Sequence, residues 1–433
     1  MSAEARWLAE LEQPTDGFLE AFAARVAEPE GVRDATREAL KVLIPRLDWE
    51  AYQPHLPHGV LGVRAVLRLR GLLTPASFLR ALAVQLHMAA YEGRRNEAAR
   101  QQALAAKGSG SWRNLSAYLA SGRPGLAYAE AQGLEALDAE AFARLGEAVA
   151  LDMANVGHKA VVADHLGDLW ERLERPRATG RRLLGLAAWV AATPQDLFWS
   201  KRAAKRLGEA PPALAWRPPE LSPADLEEGV RAVCDMGLVA LLDGFSARIR
   251  AGICAPDLLA MLTLAAAEKQ LDARRDLEGK TAWNFVYLAT LSRAAVTDPR
   301  PWCQAAALVN LFPTDEPEDR VRPDVPELPD PLGLVEAILD AEPARALGHA
   351  LGLAQGGAAE AALAGLAEAA AQNDPAFNHA HQTLAVAAAA DLLPHLSQPV
   401  QVALLGALAK SLANSQGSGD LGRQADRHLA RQD

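Results

Sequence analysis

Four stretches of this chain open in the same way, and together they limit what it can fold into. They begin at His55-Leu56-Pro57-His58, Gly157-His158-Lys159, Gly279-Lys280-Thr281 and Asn378-His379-Ala380-His381. Each leads into an amphipathic run of helical period, then a turn, then a second apolar helix at residues 78–91, 182–192, 302–311 and 400–414. Hairpins packed side by side point equivalent ends the same way. Four hairpins that each start with His or Lys therefore gather those side chains at one spot.

Composition supports helices throughout. Alanine and leucine dominate and lose little on entering a helix. No alternating strand pattern of useful length appears, and Asn-Gly and Asp-Gly turns are absent. The expected fold class is all-α, a globular multi-helix bundle of stacked helical hairpins. A chain of 433 residues, half of them apolar, can build one large helical domain or two to three smaller ones.

Connectors are expected where Gly, Ser and Pro cluster, at 106–125, at 209–223 with its five prolines, and at 312–333. The middle connector divides the chain into helical halves, 1–208 and 224–415, with a flexible tail at 416–433. His58 and His158 are 100 residues apart, and Lys280 and His381 are 101 apart. An internally duplicated, pseudo-twofold arrangement accounts for that spacing, and so does chance recurrence of similar hairpins.

Several classes of function are disfavoured. A net charge of −10, from 44 basic and 54 acidic residues, argues against nucleic acid as the partner. Cys234, Cys254 and Cys303 are odd in number and widely spaced, so they form neither a disulfide framework nor a zinc motif. The N-terminus is not a signal peptide, and no apolar run is long enough for a membrane span. The expected setting is cytoplasmic, with a small-molecule substrate and no membrane partner. Oligomeric state is not readable. Nucleotide-binding glycine loops, HExxH and nucleophile elbows are all missing.

The candidate chemistry lies in the histidines. His55 and His58 are three apart and share a helix face, a spacing that can chelate a metal or simply mark a polar helix start. His158 and His165 also share a face, and Asp164 and Asp168 are placed to orient a ligand imidazole. His165 reads equally well as a core histidine satisfied by Asp168 or a backbone carbonyl. Lys159 reads as a salt-bridging or snorkelling lysine. Lys280 opens an apolar helix, where it is a carbamylated metal ligand, a charge partner in the cavity, or half of an ion pair. His379 and His381 lie on different faces, so one of the two serves as a ligand. His87, Tyr91, Trp283 and Phe285 are candidates to line a substrate pocket. His349, His395 and His428 read as surface residues. Three or four imidazoles suit Fe(II) best, with Zn or Mn as alternatives.

Two of these segments resemble the questin oxidase-like family. His55-Leu56-Pro57-His58 is similar to that family's Asn-His-Leu-Pro-Met-Ala-Leu motif, with Pro54 where the family has Asn. The helix from His158 through Asp164 to His165 is similar to its His-x-x-Thr-x-x-x-His-Ala-Leu helix. Lys280 or the His379–His381 pair would fill in for a late His-x-x-Lys motif. The resemblance implies an all-helical fold, oxidative chemistry on polycyclic aromatic or polyketide-like substrates, and a histidine-bound non-haem iron. The expectation is a metal-dependent oxygenase. The alternatives are a helical scaffold without catalysis and a metal-dependent hydrolase.

Overall fold

The structure is a computed structural model that describes residues 3–12, 15, 17–27, 31–46, 57–92, 107–153, 156–193, 198–208, 211–272, 282–311, 321–372 and 380–415. Among these residues there are α-helices and short 3-10 turns and no strand. In chain order the helices are α1 (Ala3–Glu12), α2 (Phe18–Val26), α3 (Gly31–Leu43), α4 (His58–Leu69), α5 (Pro75–Glu92), α6 (Trp112–Ala120) and α7 (Pro124–Gly133). Then come α8 (Ala139–Val149), α9 (His158–Arg172), α10 (Arg177–Ala192), α11 (Phe198–Lys205), α12 (Pro223–Asp235), α13 (Leu238–Arg250) and α14 (Ala255–Asp272). The last seven are α15 (Trp283–Arg293), α16 (Pro299–Leu311), α17 (Pro331–Leu339), α18 (Pro343–Gln355), α19 (Ala359–Gln372), α20 (His381–Leu392) and α21 (Gln398–Asn414).

Local chemistry sets many of these boundaries. Ser111, Asp138, Ser222 and Asp330 each accept a hydrogen bond from the backbone N–H three residues on, capping α6, α8, α12 and α17. The expected connector at 106–125 is corrected by the first of these. Its Gly and Ser residues bracket a helix, with Ser111 as the cap and Ser121-Gly122 as the stop. Residues 211–222 do run without helix. They are held by a backbone bond from Leu214 to Thr297 and by the buried Asp257 carboxylate, which accepts from Glu220 N–H and Leu221 N–H.

At the centre, α4, α9, α15 and α20 form a ring. α4 packs on α9 and α20, and α15 packs on the same two, so α4 and α15 occupy opposite corners. Each ring helix is followed by its hairpin partner, α5, α10, α16 and α21, and packs against it. Gly59 permits the close approach of α4 to α5, since a Cβ there would lie 2.4 Å from Ala89 N. The ring helices are buried over most of their surface, as expected for helices enclosed by a second layer. They bury Val60, Val63, Val161, Val162, Phe285, Val286, Leu384 and Val386.

All four ring helices run parallel. Their first residues are His58, His158, Trp283 and His381, which meet at one end. Ten residues further along each helix are Arg68, Asp168, Arg293 and Asp391, which belong to one ionic layer at the other end. At 1.5 Å of rise per residue the two layers are about 15 Å apart.

Candidate metal centre

Three imidazoles converge where the ring helices begin. His58, His158 and His381 each offer one donor atom, and these atoms lie within 4.8 Å of one another. The Nε2 atoms of His58 and His381 are 3.2 Å apart. The His58 ring lies 4.9 Å from that of His381 and 5.8 Å from that of His158, edge-on in both cases. His158 and His381 are buried, while His58 is partly exposed.

That spacing fits a metal. Two imidazole donors bound at about 2.0–2.1 Å to a tetrahedral ion lie about 3.3 Å apart. The donor chemistry also fits, because neutral imidazoles bind first-row divalent ions such as Fe, Zn and Mn.

The fourth corner of the ring carries an indole. Trp283 lies flat on His158, with centroids 3.7 Å apart and planes 9° apart, and its ring is 5.6 Å from that of His381. Its Nε1–H donates to the Val156 carbonyl at 2.9 Å. The backbone at this corner is unusual. Val156 and Gly157 both have positive φ, 54° and 85°, and Ala380, which precedes His381, has φ 66°. Helix N-caps ordinarily sit in the extended region. For Val156 and Ala380 the left-handed conformation costs about 1–3 kcal/mol each, and such strain collects at functional sites.

Below this layer the ring holds charge. Arg64, with its side chain 1% exposed, donates from Nε to Asp168 at 2.6 Å and from Nη2 to Asp391 at 2.9 Å. Arg68 donates to Asp391 at 2.6 Å, and Arg293 donates to Asp391 at 3.0 Å and to Asp164. The basic residues stand on α4 and α15 and the acidic ones on α9 and α20, so the signs alternate around the ring. Asp164 and Asp168, which the sequence reading set beside His165 as carboxylates to orient an imidazole, are thus engaged by arginine.

The remaining candidates fall in different places. His165 lies two turns below His158 and outside the three-imidazole group. It is 1% exposed, and no described residue hydrogen-bonds its Nδ1. Burial, then the charge of Arg64, holds its proton affinity well below the usual histidine value. Lys159 is buried and pairs with Asp152 at 2.5 Å. His87 packs its ring against Phe18, 5.2 Å between centroids. Phe285 is fully buried two residues past Trp283, which turns it about 200° around α15 into the core. His349, expected at the surface, is instead buried, with its Nδ1 accepting from Asp330 N–H. His55, Lys280 and His379 lie outside the described residues, as does the side chain of Tyr91.

Sequence reasoning did not place Arg64, Arg68, Arg293 and Asp391 in a layer. Their signal was present, as charges set inside helices six to thirteen residues past His58, Lys280 or His381. A cavity of about 650 Å³ lies beside this lower layer, between α8, α9, α15 and α16. It is lined by Phe142, Ala160, Asp164, Asp168 and Arg293 but by none of the three cluster histidines, so it lies outside the ring. No described helix is long and apolar enough to cross a membrane. Comparison with protein-family models, curated proteins and solved structures finds no match to this chain.

Proposed function

We propose that this chain is a metal-dependent oxygenase whose ferrous ion is held by His58, His158 and His381 and whose substrate is a bulky, apolar or aromatic small molecule. The observation that carries the reading is the convergence of three imidazoles from three separate hairpins. A core histidine is satisfied by one neighbour, whereas three donors gathered from distant parts of the chain point to a shared ligand.

The residues divide the work. His58, His158 and His381 supply neutral nitrogen donors. The indole of Trp283 walls the fourth corner and excludes water from that side. A ferrous ion held there would supply the redox centre for dioxygen chemistry, with the net electrons coming from the substrate and an external reductant. Three protein ligands leave positions open for exogenous partners, as catalytic metal sites require. The aromatic substrate class rests on the resemblance to questin oxidase-like proteins and on the indole beside the cluster.

A second reading has its own support. An all-imidazole, three-ligand set is also an arrangement in which Zn can activate a bound water, the chemistry a hydrolase needs. Metal content of protein purified without chelator or tag separates both enzymes from a scaffold. Oxygen uptake by the Fe(II)-loaded protein, in the presence of planar phenolic compounds, separates oxygenase from hydrolase. About one transition metal per chain is expected, with His158→Ala losing it and keeping its helical circular dichroism. A protein that is metal-free as purified and takes up no Fe(II) anaerobically would refute the proposal. Protons compete for the same nitrogens, so metal affinity should fall on acidification.

A further inference from the structure

The backbone that launches His158 is strained and is clamped by α15. Val156 is a β-branched residue in left-handed conformation, followed by Gly157 in the same region. Trp283 holds this elbow by a hydrogen bond to the Val156 carbonyl. Tyr287, one turn further along α15, presses on Gly157, where a Cβ would come within 2.7 Å of its ring. The Trp283 indole also covers the face of the His158 imidazole. One side chain therefore fixes both the main chain before His158 and the plane of its ring.

We propose that Trp283 is a positioning residue of the metal centre, setting the orientation of His158, and is not a wall that merely borders the substrate. The inference rests on the metal reading and deepens it. A free imidazole rotates about two torsions, and freezing them on binding costs affinity. A ring already held flat by the indole avoids that loss. Groups that orient metal-binding histidines are commonly worth 10–100-fold in affinity. The stack is the only arrangement in the fourth corner among the described residues that touches a cluster histidine face to face. It also explains why α15, alone of the ring helices, begins with an aromatic residue in place of a histidine.

The test uses the full chain and Co²⁺ as the probe. Trp283→Leu removes both the stack and the hydrogen bond, while Trp283→Phe keeps a flat ring and loses only the N–H donor. Expected is a 10–100-fold loss of Co²⁺ affinity for Leu, a smaller loss for Phe, and an altered visible d–d spectrum in Leu. In the metal-free protein, the His158 ring protons should be shifted upfield by the indole in NMR, keep most of that shift in Phe and lose it in Leu. Trp283→Leu protein with wild-type Co²⁺ affinity and spectrum would overturn the proposal, as would His158 resonances indifferent to both substitutions. If Leu fails to fold by circular dichroism, the Phe variant decides, and wild-type affinity there together with an unmoved spectrum would overturn the role given to the Nε1–H clamp. Wild-type protein that binds no Co²⁺ overturns the metal reading whatever the variants do. Wild-type binding with indifferent variants overturns only the role of Trp283.

Discussion

The two ends of the central ring use the same four helices and solve opposite problems. At the C-terminal end, Arg64, Arg68 and Arg293 meet Asp164, Asp168 and Asp391, so charge is buried with its countercharge. At the N-terminal end the described residues are three imidazoles and an indole, which carry no permanent charge and present nitrogen donors to one point. The helix ends themselves favour this division in part. Arg68 and Arg293 sit in last turns, where the backbone dipole welcomes a cation, whereas Lys159 in the first turn of α9 is answered by Asp152. The difference teaches that the lower layer fixes the ring and the upper layer is available for chemistry.

The comparison can be broken most sharply at Asp391, which three arginines share. Asp391→Ala should cost about 3–5 kcal/mol, the usual result of leaving a buried charge without its partner. Urea unfolding measures it, and the loss should be the same with and without metal. A loss seen only in the metal-bound protein would merge the two layers into one.

Next in size is the effect of the metal. At one hundred times its Kd, Co²⁺ should raise the unfolding free energy by about 2.7 kcal/mol, and His381→Ala should abolish the gain. The upper layer would then stabilise the fold only when loaded, whereas the lower one does so always. Equal stability of the wild-type protein in Co²⁺ and in chelator would end that contrast.

His165 lies between the layers and sharpens the boundary. Its folded proton affinity is depressed, so well above the ordinary histidine range it is neutral in both states and contributes nothing. Below about pH 6.5 the unfolded chain takes a proton that the buried ring resists. Stability should therefore fall with pH by up to about 1.4 kcal/mol per unit for this one group. In chelator, His165→Gln should flatten the fall between pH 6.5 and 5. Identical slopes for variant and wild type would assign the loss to other groups.

The smallest effect is expected at the rim. Arg172 bonds Asp168 at 2.9 Å from a partly exposed position. Arg172→Ala should change stability by about 0–1 kcal/mol, and less in high salt. A loss approaching that of Asp391→Ala would extend the ionic core outward to this residue.

Sequence by itself determined the helical class and most of the helices, because Ala and Leu favour helix and the 3.6-residue period marks the faces that are buried. It also marked His58, His158 and His381, since a histidine opening an apolar helix is visible in any register. It misread 106–125, where Gly and Ser were taken for a loop though they cap and stop α6. It treated His349 as surface because its neighbours in sequence are polar or small, while its neighbours in space are Asp330 and Gly333. It assigned Asp164 and Asp168 to histidine because they adjoin it along α9, whereas their partners come from α4 and α15. Lys410 gave no signal at all, yet it is fully buried with its ammonium donating to the Gln270 and Leu271 carbonyls at the end of α14. Only the tertiary structure decided that four hairpins close into a parallel ring with an indole at the fourth corner. Periodicity records which face of a helix is buried, but not against which other helix, and both the histidine cluster and the ionic layer are made of contacts between helices 98 or more residues apart.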